Sequence, residues 1–343
     1  MKILLSIEHP AWAHQFRHMI RELEKKGHII KVVAINKDRD LELLDIFNIE
    51  YDIISNTSGK NLFEKGIIFL KTTFKIYQIS KQFKPDMYIG RASPMMSINS
   101  FLFRKNHIIF EDTEHSTFCL FIAKLFTDVI ITPNCFKNNL GRKQFSVDAY
   151  KELFYLHPNY FTPNPNVLSE LNLSTQDKFI ILRFVAWDAH HDIGQQGIKG
   201  KIEFVKKLEK YCRVLISSEG KLDKELDKYK IVVSPEKLHD LLYYATLYVG
   251  EGSTTASECA ILGTHAIYIN TLRLGYTEEE ETKYNLVYNF SDKNTMEKQA
   301  FDKALELLEN KDLRNEGKKK RERLLKDKID VTAFMIKFIE NYP

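Results

Sequence analysis

Residues 249–270, VGEGSTTASECAILGTHAIYIN, read as a strand that passes through a turn of small residues directly into a helix and then into another strand. Gly250 and Gly252 permit close backbone approach, while Ser253, Thr254 and Thr255 bring hydroxyls beside the N–H groups that open a helix. An anion is well placed at such a turn. The pattern puts Glu258 in the first turn of the helix, where a carboxylate accepts from a pair of ribose hydroxyls while the turn holds a diphosphate. The expected ligand is a nucleotide carrying a sugar. A second reading stands beside this one: Thr255-Ala256-Ser257-Glu258 fits the S/T-x-x-E capping box, in which the carboxylate only satisfies a backbone donor.

Outward from this unit, short apolar runs alternate with amphipathic segments. Strands are expected at 2–7, 29–34, 51–54, 87–89, 108–110 and 129–131, then at 179–184, 214–217, 231–233, 247–249, 266–269 and 286–288. Strands separated by helical patterns build parallel sheets through crossovers. After the first strand, Phe16, Met19, Ile20 and Leu23 share one helical face and Gly27 stops the helix. The rhythm breaks at 154–177, FYLHPNYFTPNPNVLSELNLSTQD, which crowds Pro158, Pro163 and Pro165 with several Asn residues into a joint. A chain of 343 residues is long for one core, so two α/β domains are expected, 1–160 and 161–325. A terminal helix at 326–343, with Val331, Phe334, Met335 and Phe338 on its apolar face, is expected to return to the first domain.

The 50 basic and 46 acidic side chains leave a formal charge of +4, too small for a protein built around a polyanion, and nucleic acid is excluded as a partner. No apolar run approaches the roughly 18 residues that span a bilayer, and the opening MKILLSIEHP reads as a strand rather than a signal peptide. The expected setting is cytoplasmic. In open parallel sheets ligands gather beyond the carboxyl ends of the strands, so the chemistry is sought in post-strand loops facing a cleft between the domains.

The two similar domains, the Pro/Asn-rich joint, the returning helix and the GEGSTTASE turn together resemble the GT-B glycosyltransferases and the nucleotide-sugar 2-epimerases. More closely, IEHPAWAHQF, FEDTEHS, YFTPNP, RFVAWDAHHDIGQQGI, SSEG, SPEKLHDLLYYATLYVGEGSTTASE and YINTLRLGYTEEEE are similar, nearly end to end, to the domain-of-unknown-function family 354. The resemblance implies two Rossmann-like domains, the second binding a nucleoside-diphosphate sugar and the first receiving an acceptor. It places the base near Ser234 to Leu238, the diphosphate at Gly252, Ser253, Thr254 and Thr255, and the ribose at Glu258. Arg183, Ser218, Ser234, Lys237 and Leu238 complete the expected nucleotide-sugar set. Glu251, between the two glycines, conflicts with a simple anion pocket unless its side chain points away. The implied activity is transfer of a sugar, with UDP as the expected nucleotide, to a glycan or lipid-linked acceptor in surface polysaccharide or glycolipid assembly. A 2-epimerase and a noncatalytic nucleotide-sugar binder are the alternatives, and no cofactor or metal is expected.

Three loops offer catalytic groups. Asp188-Ala189-His190-His191-Asp192 follows the first strand of the second domain, and a histidine there can assist a leaving phosphate or exchange a proton with a sugar hydroxyl. Metal ligation and a loop of mutually satisfied polar groups are the competing readings. The epimerases carry a His-Arg pair in this region, whereas no Arg follows these histidines. Glu111-Asp112-Thr113-Glu114-His115 ends a first-domain strand; Glu114 and His115 are the candidates to deprotonate an acceptor hydroxyl, with Asp112 structural. His14, in HPAWAH, is the third, a structural histidine being the equal alternative. Asp38-Arg39-Asp40 sits where acids favour a helix dipole and is rejected as a metal site. Finally, 63–83 mixes Lys65, Lys71, Lys75 and Lys81 with Ile67, Ile68, Leu70, Phe74 and Tyr77, which reads either as an ordinary surface helix or as peripheral contact with the inner face of a membrane.

Overall fold

A computed structural model of the chain describes residues 1–36, 40–56, 61–185, 196–218, 220 and 222–343. They form two compact units, Met1–Tyr155 with Ile329–Pro343, and Leu156–Lys328. The sequence put the joints after residues 160 and 325; the structure divides after Tyr155 and Lys328.

The first unit runs β1 (Lys2–Ile7), α1 (Pro10–Lys25), β2 (Ile29–Ile35), α2 (Asp40–Ile46), β3 (Tyr51–Ser55), α3 (Leu62–Phe83), β4 (Met87–Gly90), α4 (Pro94–Phe103), β5 (Asn106–Phe110), α5 (Thr117–Phe126), β6 (Val129–Pro133) and β7 (Gln144–Val147), with α6 (Leu153–Leu156) at the joint. Its strands make one parallel sheet in the order β3-β2-β1-β4-β5-β6-β7. β1 is buried from Ile3 to Ile7, as a strand covered by helices on both faces must be. His9 caps α1 by accepting from Ala11 N at 3.2 Å, Pro10 opens the helix, and Phe16, Met19, Ile20 and Leu23 are buried on its inner face.

The second unit runs α7 (Asn166–Ser169), β8 (Phe179–Phe184), α8 (Lys201–Leu208), β9 (Arg213–Ser218), α9 (Leu238–Tyr244), β10 (Leu247–Gly250), α10 (Ser253–Leu262), β11 (Ala266–Ile269), α11 (Gly275–Thr282), β12 (Val287–Phe290), α12 (Met296–Glu309) and α13 (Leu313–Asp327). Its parallel sheet has the order β12-β11-β10-β8-β9. The strand expected at 231–233 does not form: Val232 is 79% exposed, and contact with β9 is limited to one bridge, Ile216 to Lys230. One bridge does not continue the paired register that a strand needs. The basic helix α13 packs on α10, where a methyl group at Gly317 would run into the Gly263 carbonyl oxygen. Arg321 Nε also donates to Ile261 O at 2.8 Å, satisfying a carbonyl at the end of α10.

After the second unit the chain returns as α14 (Val331–Asn341), which belongs to the first unit. Asp330 caps it through Ala333 N at 2.9 Å, and Val331, Met335, Ile336 and Ile339 are buried. Phe334 and Phe338 lie against Phe145 of the edge strand β7, at centroid distances of 6.1 and 5.6 Å. β7 itself was not expected from the sequence.

Candidate functional site

Each sheet has a point where the chain reverses its direction of growth. In the second unit β8 is followed by β9 on one side, and the chain then returns to add β10, β11 and β12 on the other. The crevice beyond the carboxyl ends of β8 and β10 is thus the topological switch point, where open α/β sheets bind ligands. The Gly250-Glu251-Gly252 turn occupies it.

Gly250 is required by the sheet itself, since a methyl group there would lie 2.8 Å from Arg183 O and against the Tyr248 ring. Gly252 is the N-cap of α10, with Ala256 N donating to its carbonyl at 3.1 Å, and as a glycine it brings no side chain to the cap. Tyr248 OH donates to the same carbonyl at 3.1 Å. The helix therefore presents its opening turn, Ser253, Thr254 and Thr255, beyond β10, with the positive end of its dipole there.

This start corrects the sequence reading of Glu258. With Ser253 as the first helical residue, Thr255 is already inside the helix and Glu258 falls in the second turn, so the capping box is not formed. The Glu258 carboxylate instead meets His239 of α9, Oε1 to Nε2 at 2.9 Å, with both side chains buried. His239 was missed by sequence reasoning. It directly follows the segment Ser234 to Leu238 marked for the base, but nothing in the local pattern points it at Glu258.

Glu251 does not oppose an anion at the turn, because its buried carboxylate is engaged elsewhere. Oε2 accepts from Val185 N at 2.9 Å and Oε1 from Ile198 N at 2.8 Å, with Lys201 Nζ 3.7 Å away. It thereby joins the end of β8 to the segment before α8. Gln196 and Thr271 add a reciprocal pair, Gln196 N to Thr271 Oγ1 at 3.0 Å and Thr271 N to Gln196 O at 3.2 Å. His190 and His191, with the rest of 186–195, lie outside the described residues, as do Asp38 and Arg39.

The remaining nucleotide-sugar candidates separate into two groups. Arg183 comes to the turn: its Cδ and Nε would stand 3.4 Å from a methyl group at Gly252, and Nη1 donates to Ser217 Oγ at 2.8 Å. Ser218 turns locally, its hydroxyl donating to Gly220 O at 3.0 Å. The Ser234 hydroxyl donates to the Glu236 carboxylate, Lys237 pairs with Glu170 at 2.6 Å on the surface, and Leu238 opens α9.

In the first unit the switch point lies between β1 and β4. Glu8 follows β1, Arg91 follows β4, and Glu111 and Asp112 follow β5. The Arg91 guanidinium donates to both the Glu111 and Asp112 carboxylates and to Thr113 Oγ1 at 2.9 Å, and lies 5.8 Å from the Trp12 ring centre. Lys151 Nζ completes the cluster, 3.0 Å from Asp112 and 3.2 Å from Glu152. All five charged groups are buried. Burial alone would raise the Asp112 carboxyl; Arg91 and Lys151 outweigh it and hold that group well below the usual carboxylate range. Glu8 differs: burial pushes its carboxyl up, the hydroxyls of Ser93 and Ser6 partly offsetting this. Neither Glu8 nor Arg91 was marked from sequence, although each directly follows a strand.

Glu114 is buried, its Oε1 accepting from Lys137 N at 3.4 Å, while His115 is exposed. His14 lies on the buried face of α1, its ring 5.3 Å from Phe47 and 5.5 Å from Tyr155.

A model of the family described as "Protein of unknown function (DUF354)" matches residues 1–342. No curated protein matches the chain. Among solved structures, a putative UDP-N-acetylglucosamine 2-epimerase from Listeria monocytogenes superposes with TM-score 0.69 at 16% identity, covering 92% of this chain and 90% of that one. The UDP-GlcNAc 2-epimerase from Neisseria meningitidis, bound to UDP-GlcNAc, gives 0.67 at 15% identity, with 92% and 94% covered. The spinosyn forosaminyltransferase SpnP gives 0.66 at 10% identity, with 99% and 100% covered. These likenesses establish the fold as GT-B-like, two Rossmann-like domains each built on a parallel sheet.

Proposed function

We propose that this chain, which belongs to the DUF354 family, is a glycosyltransferase that takes a sugar from a nucleotide donor, with a UDP-sugar as the first candidate. The observation that carries the reading is the opening of α10 on a glycine N-cap at the second unit's switch point, with Arg183 beside it. Such a turn suits a diphosphate through opening amides, dipole and guanidinium together. Glu258, one turn further and held by His239, is assigned the ribose hydroxyls.

In the proposed reaction an acceptor hydroxyl attacks the anomeric carbon, the bond to the diphosphate breaks, and the hydroxyl proton passes to a base. Glu8 suits that role in the first unit, since its carboxyl makes no ion pair among the described residues and its raised affinity for a proton makes it the better base. A 2-epimerase, the activity named for two of the similar structures, needs acid and base groups able to exchange protons with the sugar. Glu111 and Asp112 are locked to Arg91 and Lys151, which removes them as proton-exchanging groups for either reaction.

The test is to incubate the purified protein with a panel of nucleotide sugars, with and without glycan and lipid-linked acceptors, and to analyse the products. Free nucleotide released faster with acceptor supports transfer. A stereoisomer of the donor means epimerisation, and binding without turnover means a noncatalytic binder.

A further inference from the structure

We infer that the face of the first unit formed by α3, α4 and α5 docks on an anionic phospholipid bilayer. On α3, Phe63, Ile67, Leu70, Phe74 and Tyr77 recur at alternating spacings of four and three, the stripe by which a helix normally enters a core. Here that stripe is exposed, with Phe63 at 78%, Leu70 at 67% and Phe74 at 60%. The face turned to the protein carries Thr72, Ile76 and Ser80, with Ile79 and Phe83 packed inward beside Ile76. Thus α3 is apolar on both its inner face and its outer stripe.

The exposed apolar surface continues across the neighbouring helices. Phe101 and Leu102 are exposed at the end of α4, and Phe118, Phe121 and Leu125 form a second outward stripe on α5. Ring contacts tie the three together: Tyr77 lies 5.1 Å from Phe103, and Phe101 lies 5.1 Å from Phe126. An apolar surface this continuous marks an interaction site.

Charge selects the partner. Exposed Lys65, Lys71, Lys75 and Lys81 flank the α3 stripe, Lys124 lies on α5, and Arg104 and Lys105 end α4; Glu64 is the only acidic residue on the three helices. A second copy docked face to face would bring these cations against one another, whereas anionic headgroups neutralise them while the rings enter the acyl boundary. No helix among the described residues is long and apolar enough to cross a membrane, so this face lies on the bilayer rather than spanning it. This inference does not rest on the transferase reading.

Flotation of the full chain with vesicles of phosphatidylcholine alone, and of phosphatidylcholine with phosphatidylglycerol, tests it. The protein is expected to float with the anionic vesicles and to be released by salt. Each lysine near an anionic surface is worth a factor of about five in partitioning, so Lys71→Ala with Lys75→Ala is expected to weaken it roughly 25-fold. Leu70→Glu with Phe74→Glu is expected to abolish it, with the melting temperature unchanged because both side chains are exposed. No flotation, flotation indifferent to phosphatidylglycerol, or a soluble dimer that Leu70→Glu with Phe74→Glu dissociates would overturn the inference.

Discussion

His239 Nε2 and Glu258 Oε1 stand 2.9 Å apart, both side chains buried, and join α9 to the second turn of α10. The pair fixes the carboxylate proposed to meet the ribose. Glu258→Gln keeps an acceptor for the ring and is expected to change stability by less than about 1 kcal/mol while lowering nucleotide affinity about tenfold. Glu258→Ala removes the partner altogether and is expected to cost about 1–3 kcal/mol as well. Calorimetric titration with UDP and urea unfolding separate the two effects; unchanged affinity in Glu258→Gln would leave the residue a purely structural role.

Glu251 binds the amides of Val185 and Ile198, on either side of residues 186–195. Glu251→Ala strips a buried acceptor from both amides and is expected to destabilise the protein by about 2–6 kcal/mol. Hydrogen exchange should speed up at those amides beyond what the global loss explains. Exchange rising uniformly across the sheet would show that Glu251 supports the unit as a whole rather than these two stems.

Arg91 neutralises two buried carboxylates, so Arg91→Met should cost about 3–5 kcal/mol by leaving Glu111 without a cation and Asp112 with Lys151 alone. Adding Asp112→Asn should recover part of that loss, and a double-mutant cycle in urea measures the coupling. Additive costs would mean that the two side chains act independently.

His107 and His265 are buried, and burial favours their neutral form. Burial pulls His107 from 6.5 to about 3; His265 is also pulled to about 3 by burial, aided by Lys320 and Lys303. Their protons bind the unfolded chain first, so the stability they permit is complete above pH 6.5 and lost as pH falls toward 3. Each contributes about 1.4 kcal/mol per pH unit across that window. In His107→Leu the slope of unfolding free energy between pH 6 and pH 4 is expected to fall by about one proton. An unaltered slope would show that His107 is already protonated in the folded protein.

The alternation of apolar runs was enough to anticipate two parallel sheets and the returning helix, because burial on both faces of a strand leaves a signal within its own few residues. The strand-turn-helix at Gly250 to Glu258 was legible for the same reason. Its register was not: a Thr and a Glu three apart look like a capping box wherever the helix begins, and the start at Ser253 follows from Gly250 packing against Arg183 and Tyr248.

What the sequence determined by itself was thus the set of elements and their faces, since propensity and periodicity act among residues within about one turn of each other. The tertiary structure alone decided which side chains meet. Glu251 finds Val185 66 positions away and Ile198 53 away, and Arg91 finds Glu111 20 away, because the order of strands in each sheet brings their ends together. It also decided which way α3 faces. The spacing of Phe63, Ile67, Leu70, Phe74 and Tyr77 specifies a stripe, but only packing against α4 and the sheet turned Thr72, Ile76 and Ser80 inward and left that stripe on the surface.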